Sequence, residues 1–379
     1  MMSILKTIVR LSAKVFCCFP LQNKVVFDNM TGKGFGDDPK YIALALLKKS
    51  KNLKLIWLVK SDSNNNLPIE IKPVKLNSLA ALYHLATARV WVDNQRGAFS
   101  LAPKRKVQFY IQTWHATFGV KKLGTDNDKS SKKGRREVQY DASRTDLMYS
   151  NSDFRVNKFK TTFWYNGEVQ KRDIPRVAFL MNPPKDIKTK ICKTLGFAES
   201  NKIIMYAPTF RDNGNTAAYH IDFHRIIDAV EKMSGEKYVM IVRLHPSISN
   251  KYADLIEYDE KVINGSPYPD MAELLSVTDI LLNDFSSSMF DFALLRRPVF
   301  LIAKDYDDYL KNNRDVYFSI KELPFSFANN EDELVDNIAT FKQSDYDKSV
   351  SSFFEMIGME DHGKGDEEVA NIVLSKMKF

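Results

Sequence analysis

Two histidines, each directly after an apolar run that reads as a strand, are the side chains here best suited to take a proton near neutral pH. His115 stands in Gln112-Thr113-Trp114-His115, and His245 in Arg243-Leu244-His245-Pro246. Lys121 and Lys122 follow His115 closely enough to neutralise negative charge beside a general base. Two further segments suit phosphate. Tyr206-Ala207-Pro208-Thr209-Phe210-Arg211 ends a strand at a proline and then offers a hydroxyl and a guanidinium, whose fork matches phosphate oxygens. Asn283-Asp284-Phe285-Ser286-Ser287-Ser288 runs from a strand into a helix start, where hydroxyls and unpaired backbone N–H groups favour anions. Plainer readings exist for each: a strand-end histidine is often structural, and a serine before a helix is often its N-cap.

Positioning such groups takes strands that end together. Lys24–Asp28, Leu53–Val59, Arg89–Asp93 and Val107–Thr113 read as strands, with helices over Tyr41–Lys49 and Leu76–Thr87. Asp38 reads as an N-cap, with Pro39 at the first helical position. Residues 124–134 read as a charged loop, and Asn182–Lys190, with two prolines, as a linker. The rhythm then restarts. Strands are expected at Ile203–Ala207, Tyr238–Leu244, Ile280–Asn283 and Pro298–Ile302, and helices at Phe223–Met233, Met271–Val277 and Met289–Leu295. Strands alternating with helices imply parallel sheets covered on both faces, whose ligands gather at the carboxyl ends of the strands. The expectation is an α/β protein of two doubly wound, Rossmann-like domains facing a central cleft. The boundaries expected are 1–22, 23–182 and 190–379. Gly32-Lys33-Gly34-Phe35-Gly36 lacks the spacing of a dinucleotide or P-loop motif and reads as flexible backbone near the site.

Charge narrows the partners. The 379 residues carry a net charge of +8. Between Lys104 and Arg144 eleven Lys or Arg face four acids, so this stretch alone holds +7. Such a field attracts phosphorylated substrates, anionic lipid or nucleic acid. Nucleic acid is disfavoured because only Tyr140 interrupts the basic run from Lys121 to Arg144. The first nineteen residues contain no acid, and Lys6, Arg10 and Lys14 recur every four residues. That pattern suits a short helix on an anionic membrane surface. No apolar run is long enough to span a bilayer. Three cysteines form no disulfide framework, and no cluster has metal-ligand spacing, so neither metal nor cofactor is expected.

In order along the chain, residues 32–47 (GKGFGDDPKYIALALL), 112–124 (QTWHATFGVKKLG), 206–212 (YAPTFRD), 243–246 (RLHP) and 283–309 (NDFSSSMFDFALLRRPVFLIAKDYDDY) resemble the CDP-glycerol glycerophosphotransferase family. That family comprises the teichoic-acid primases and polymerases and their capsule relatives. The resemblance implies a GT-B fold and transfer of glycerol phosphate or ribitol phosphate from a CDP-activated donor. The implied acceptor is a polyprenyl-diphosphate-linked saccharide or growing polymer at the cytoplasmic face of the membrane, with the enzyme bound peripherally. It implies an acceptor-side N-terminal domain and a donor-binding C-terminal domain. It gives His115 the role of base, with His245 as a second catalytic residue. Thr209, Arg211, Arg243, Asp284, Ser286 and Ser287 would hold the donor phosphates, and Lys121 and Lys122 the acceptor or its charge. The family's G-x-P-R-N-D pattern is sought at residues 178–183, which contain neither arginine nor aspartate. A sugar-nucleotide enzyme on the same fold and a non-enzymatic binder of anionic lipid or nucleic acid are the other readings of this sequence.

Overall fold

The computed structural model describes residues 14–60, 66–100, 102–116, 118–127, 132–211, 216, 219–244, 256–312 and 315–378. The chain forms two compact units. The first comprises residues 1–117, 123–179 and 360–379, and the second 118–122 and 180–359.

The first unit is built on a seven-stranded sheet. Its strands are β1 (Gln22–Asp28), β2 (Lys54–Val59), β3 (Ile71–Lys75), β4 (Ala88–Asp93), β5 (Phe109–Gln112), β6 (Leu147–Ser150) and β7 (Glu168–Lys171), in the order β3-β2-β1-β4-β5-β6-β7. All pairings are parallel. The central strands are apolar on both faces because helices cover both. Val26, Ile56, Leu58, Trp91 and Tyr110 join Leu82, Leu85 and Phe99 in one buried cluster. Helices α1 (Asp37–Lys49), α2 (Leu79–Thr87), α3 (Lys132–Ala142) and α4 (Asp153–Thr162) lie between its strands, and α5 (Pro175–Met181) follows β7.

Several boundaries differ from expectation. Helix α2 begins at Leu79 rather than Leu76, because the Ser78 hydroxyl caps it by accepting from Ala81 N. Asp38 is not an N-cap. It lies inside the first turn of α1, and its carboxylate accepts from Arg176 instead. The charged stretch at 124–134 holds a 3₁₀ turn at Gly124–Asp126 and the start of α3.

The second unit carries a six-stranded parallel sheet. Its strands are β8 (Lys202–Tyr206), β9 (Tyr238–Val242), β10 (Val262–Asn264), β11 (Ile280–Asn283), β12 (Val299–Ile302) and β13 (Ser326–Ala328), in the order β10-β9-β8-β11-β12-β13. Helix α6 (Ile187–Leu195) opens inside the expected linker and ends at Gly196, whose φ of 81° supplies the left-handed cap. Helices α7 (Phe223–Ser234), α8 (Met271–Val277), α9 (Ser288–Ala293), α10 (Tyr306–Asn312), α11 (Glu331–Ala339) and α12 (Gln343–Met356) complete it.

The last twenty residues do not stay with the second unit, as the expected 190–379 domain had them. Helix α13 (Gly365–Ser375) packs on α1 in the first unit. The Asp361 carboxylate accepts from Asn151 Nδ2 and Ile174 N there, and Arg172 pairs with Glu368 at 2.8 Å. A side chain at Gly365 would strike the Asp173 and Ile174 backbone at 2.3–2.6 Å, so only glycine lets the chain approach so closely.

Candidate functional site

In each sheet the strand order reverses direction once, between β1 and β4 in the first unit and between β8 and β11 in the second. The loops at those carboxyl ends diverge to opposite faces and leave a crevice. Most of the expected site residues that the structure describes lie at or beside these two places, and each place is described by itself.

In the first unit, His115 follows β5. Its Nδ1 lies 3.1 Å from the Asn94 carbonyl oxygen. A carbonyl only accepts, so Nδ1 carries the hydrogen and Nε2 is left with its lone pair. Burial holds the imidazole below its ordinary value of 6.5, against the opposing pull of the Asn94 hydrogen bond and the Asp37 charge. The ring is therefore a neutral base at pH 7. Trp114 packs on it at 4.4 Å between centroids.

Asn94, directly after β4, is the node of this place. Its Nδ2 donates to Asn29 Oδ1 (2.8 Å) and Asp37 Oδ2 (2.7 Å), and its Oδ1 accepts from Met30 N (2.9 Å). Asp37 and Asp38 in turn accept from Arg176 Nη1 at 3.1 and 2.8 Å. The loops after β1, β4 and β5 are thus bound into one unit. Backbone strain gathers here: Met30, Thr31, Asp37 and Trp114 all have positive φ. Four such non-glycine residues around one histidine mark a place the surrounding fold over-determines. Arg96 adds positive charge. Its guanidinium carbon lies 3.9 Å from the Phe163 ring centroid and 5.0 Å from that of Trp114, while Asp141 is 3.9 Å from its Nε.

In the second unit, Thr209 and Asp284 meet at the switch point. Thr209 N donates to both Asp284 carboxylate oxygens, at 2.8 and 3.0 Å. The Thr209 hydroxyl is buried and, among the described residues, has no hydrogen-bond partner. Arg211 is 2% exposed and heavily engaged. Its Nε and Nη2 clamp Asp305 at 2.6 and 2.8 Å, and Nη1 serves Asp284 Oδ2 and Thr209 O at 2.8 and 2.7 Å. Among the described residues, four of the five guanidinium hydrogens are engaged. Burial pulls the Arg211 pKa down, but the Asp284 charge and the bonds to Asp305 more than reverse this, so the guanidinium stays charged. It lies 4.9 Å from the Tyr309 ring, which stacks on Phe285 at 3.7 Å.

Lys121 reaches the same cluster, with Nζ 5.8 Å from the Tyr309 ring centroid. It and Lys122 run against residues 315–316, through a Lys121–Val316 bridge and the Lys122 N to Asp315 O bond. Ser287 precedes α9 without a side-chain capping bond, and Ser286 Oγ lies 3.0 Å from Ser288 Oγ. Arg243 Nη1 is spent on the carbonyls of Gly265 and Tyr268. His245 lies outside the described residues.

The sequence reading missed Asn94, Asp37, Arg96 and Arg176. One signal was present: Pro175-Arg176 is a Pro-Arg pair just upstream of residues 178–183, where the arginine was sought. The others carry no local pattern, because strand register brings them together.

A profile of the CDP-glycerol:poly(glycerophosphate) glycerophosphotransferase family matches residues 11–375. A teichoic acid poly(glycerol phosphate) polymerase of Staphylococcus epidermidis is 31% identical over 368 residues, which span 93% of this chain and 51% of that protein. One from Bacillus spizizenii is 28% identical over 387 residues, spanning 98% of this chain and 97% of that one. The solved structure of the wall teichoic acid polymerase TagF superposes with a TM-score of 0.83 at 28% identity, covering 99% of this chain and 95% of that chain. A His-to-Asn variant of TagF soaked with CDPG matches at a TM-score of 0.84 and 28% identity, covering 97% of this chain and 93% of that one.

Proposed function

The chain belongs to the CDP-glycerol:poly(glycerophosphate) glycerophosphotransferase family, and from that premise we propose that it transfers a polyol phosphate from a CDP-linked donor to a hydroxyl of a lipid-linked acceptor. The acceptor oxygen attacks the phosphorus that carries the polyol. A new phosphodiester bond forms, the bond to the bridging oxygen breaks, and CMP leaves. The hydroxyl proton passes to His115 Nε2. The observation that carries this reading is the His115 Nδ1 held 3.1 Å from the Asn94 carbonyl oxygen, which leaves Nε2 to accept a proton. The donor is a substrate and the reaction needs no cofactor.

The donor side belongs to the second unit. Thr209, whose buried hydroxyl lacks a partner among the described residues, together with Ser286 and Ser287, donates to phosphate oxygens, and Lys121 and Lys122 offset charge on the leaving CMP. His245 and Arg243 complete that group. Asp284 has only acceptors to offer, and Arg211 commits four of its five hydrogens to partners among the described residues. Both therefore act by positioning Thr209 rather than by gripping phosphate. Because Ser287 caps nothing through its side chain, Ser287→Ala should leave melting unchanged while raising the donor KM; unchanged kinetics would remove Ser287 from the site.

The acceptor is a polyprenyl-diphosphate-linked saccharide or growing polymer, met at the cytoplasmic face of the membrane. Val15, Phe19 and Val107 are 62%, 47% and 70% exposed, just before β1 and β5, with Lys14 and Lys106 exposed beside them. Apolar side chains among cations suit an anionic bilayer surface. Binding to anionic vesicles should fall as salt rises, and salt-independent binding would argue against this surface. No helix among the described residues is long and apolar enough to cross a membrane.

The deciding assay follows CMP release from CDP-glycerol and CDP-ribitol with a lipid-linked disaccharide acceptor. Turnover of a UDP-sugar, with no CMP from either donor, would overturn the reading.

A further inference from the structure

Directly beneath the Asn94 node lie two carboxyl groups that the reaction does not use. Asp28 ends β1 and Asp93 ends β4, and the two are register partners across the parallel pair at the sheet's switch point. Both residues are 0% exposed, and as register partners on adjacent strands they project their side chains to the same face of the sheet. Asp28 Oδ2 accepts from Thr31 N at 2.9 Å, whereas Oδ1 receives no N–H or O–H among the described residues. Asp93 Oδ1 accepts from Gln95 N at 2.8 Å. Its Oδ2 lies 3.2 Å from the Tyr110 hydroxyl, whose single hydrogen is contested by Asp141 at 3.1 Å.

Among the described residues no cation forms an ion pair with Asp28 or Asp93. Arg96 and Arg144 make their ion pairs with Asp141. The groups facing the pair are Lys60 beyond β2, Arg96 after β4, Tyr110 on β5, Asp141 on α3, and the Thr31, Gly32 and Gln95 amides. Two adjacent buried carboxylates without an ion-paired cation resist ionising together. The orphaned Asp28 oxygen and the adjacent Asp93 carboxyl are what one hydrogen between them would satisfy.

We propose that Asp28 and Asp93 share one proton and act as positioning residues, tying the loops after β1 and β4 so that the Asn94 carbonyl stays aligned with His115 Nδ1. The connection is short. Asn94 follows Asp93 directly, and Asp93 O accepts from Thr113 N at 2.9 Å, two residues before His115. Thr31, bonded to Asp28, follows Met30, which donates to the Asn94 side chain. Burial pushes Asp28 up to about 7 and, with the Asp28 and Asp141 charges added, lifts Asp93 well above the carboxylate range. The sign follows: the pair keeps its proton through neutral pH, and the alignment is lost on the alkaline side, where the last proton leaves.

This inference rests on His115 being the base, but its first test does not. Infrared difference spectra of the substrate-free protein at pH 7, wild type minus Asp28→Asn and wild type minus Asp93→Asn, should each show a protonated carboxyl band. Its absence from both would overturn the shared proton whatever the activity. In the CMP-release assay, Asp28→Ala should lose roughly 10–100-fold in kcat with the donor KM unchanged, the scale of a misaligned base. Asp28→Asn, whose amide can accept from Thr31 and donate permanently to Asp93, should restore most of that loss and flatten the alkaline limb of the kcat profile. An Asp28→Ala enzyme with wild-type kcat and pH profile, or an Asp28→Asn enzyme with an unaltered alkaline limb, would overturn the positioning role. If Asp28→Ala does not fold, the Asn variant and the spectra still decide.

Discussion

Replacing His115 with alanine should lower kcat by about 10²–10⁴-fold while leaving the donor KM within about twofold, the range for removing a positioned general base. The reason is geometric. The Asn94 carbonyl takes the Nδ1 hydrogen, so the imidazole can only receive a proton at Nε2, and it contributes to the proton's transfer rather than to nucleotide binding. The pH profile gives a second reading. Burial lowers the imidazole pKa from 6.5, so the wild-type enzyme should keep its activity at pH 6.5 and lose it only on further acidification. The same shift bears on stability. A folded pKa below the unfolded one favours the neutral ring, so this contribution is present above 6.5 and lost as pH falls through the folded pKa. His115→Ala should remove both acid-side effects together. A variant that loses donor affinity with kcat preserved would reassign His115 to the donor.

Much of this was legible in the sequence because the interior strands announce themselves. KVVFD, LKLIWLV, RVWVD, IIMYA and ILLN are apolar on successive residues, as strands covered on both faces must be. The strands that escaped notice are, with one exception, the sheet edges. β3, β7, β10 and β13 close the two sheets, and their sequences (IKPVK, EVQK, VIN and SFA) are short or half polar. Such strands exist because a neighbour offers them hydrogen bonds, not because of their own pattern. The exception, β6 (LMYS), is buried throughout but only four residues long.

The site divides in the same way. His115, Thr209 and Ser287 stand at strand ends or helix starts, positions that sequence marks. Asn94 and Asp37 matter through partners 21 and 57 residues away along the chain. Asp28 and Asp93 were each visible as the last residue of a strand. That they oppose one another depends on which strands pair and in what register, which no local spacing encodes.

The same limit bears on Arg211, the residue for which sequence and geometry suggest different roles. After a strand, an arginine looks like a phosphate fork. In the folded unit that fork is closed on Asp305 and Asp284. Arg211→Met should therefore act first on stability, because it leaves two buried carboxylates without their cation. Such a loss costs about 3–5 kcal/mol, which lowers the melting temperature of a unit this size by roughly 10 °C. Scanning calorimetry would resolve the transition of the second unit. Adding Asp305→Asn to Arg211→Met should recover part of the loss, since it removes one stranded charge, so the double mutant should be less destabilised than the sum of the two single changes. Donor KM should rise only as far as Thr209 and the Asp284 loop are displaced. An Arg211→Met protein that melted with the wild type yet lost donor affinity would mean that the guanidinium opens from its carboxylates and grips the phosphate itself.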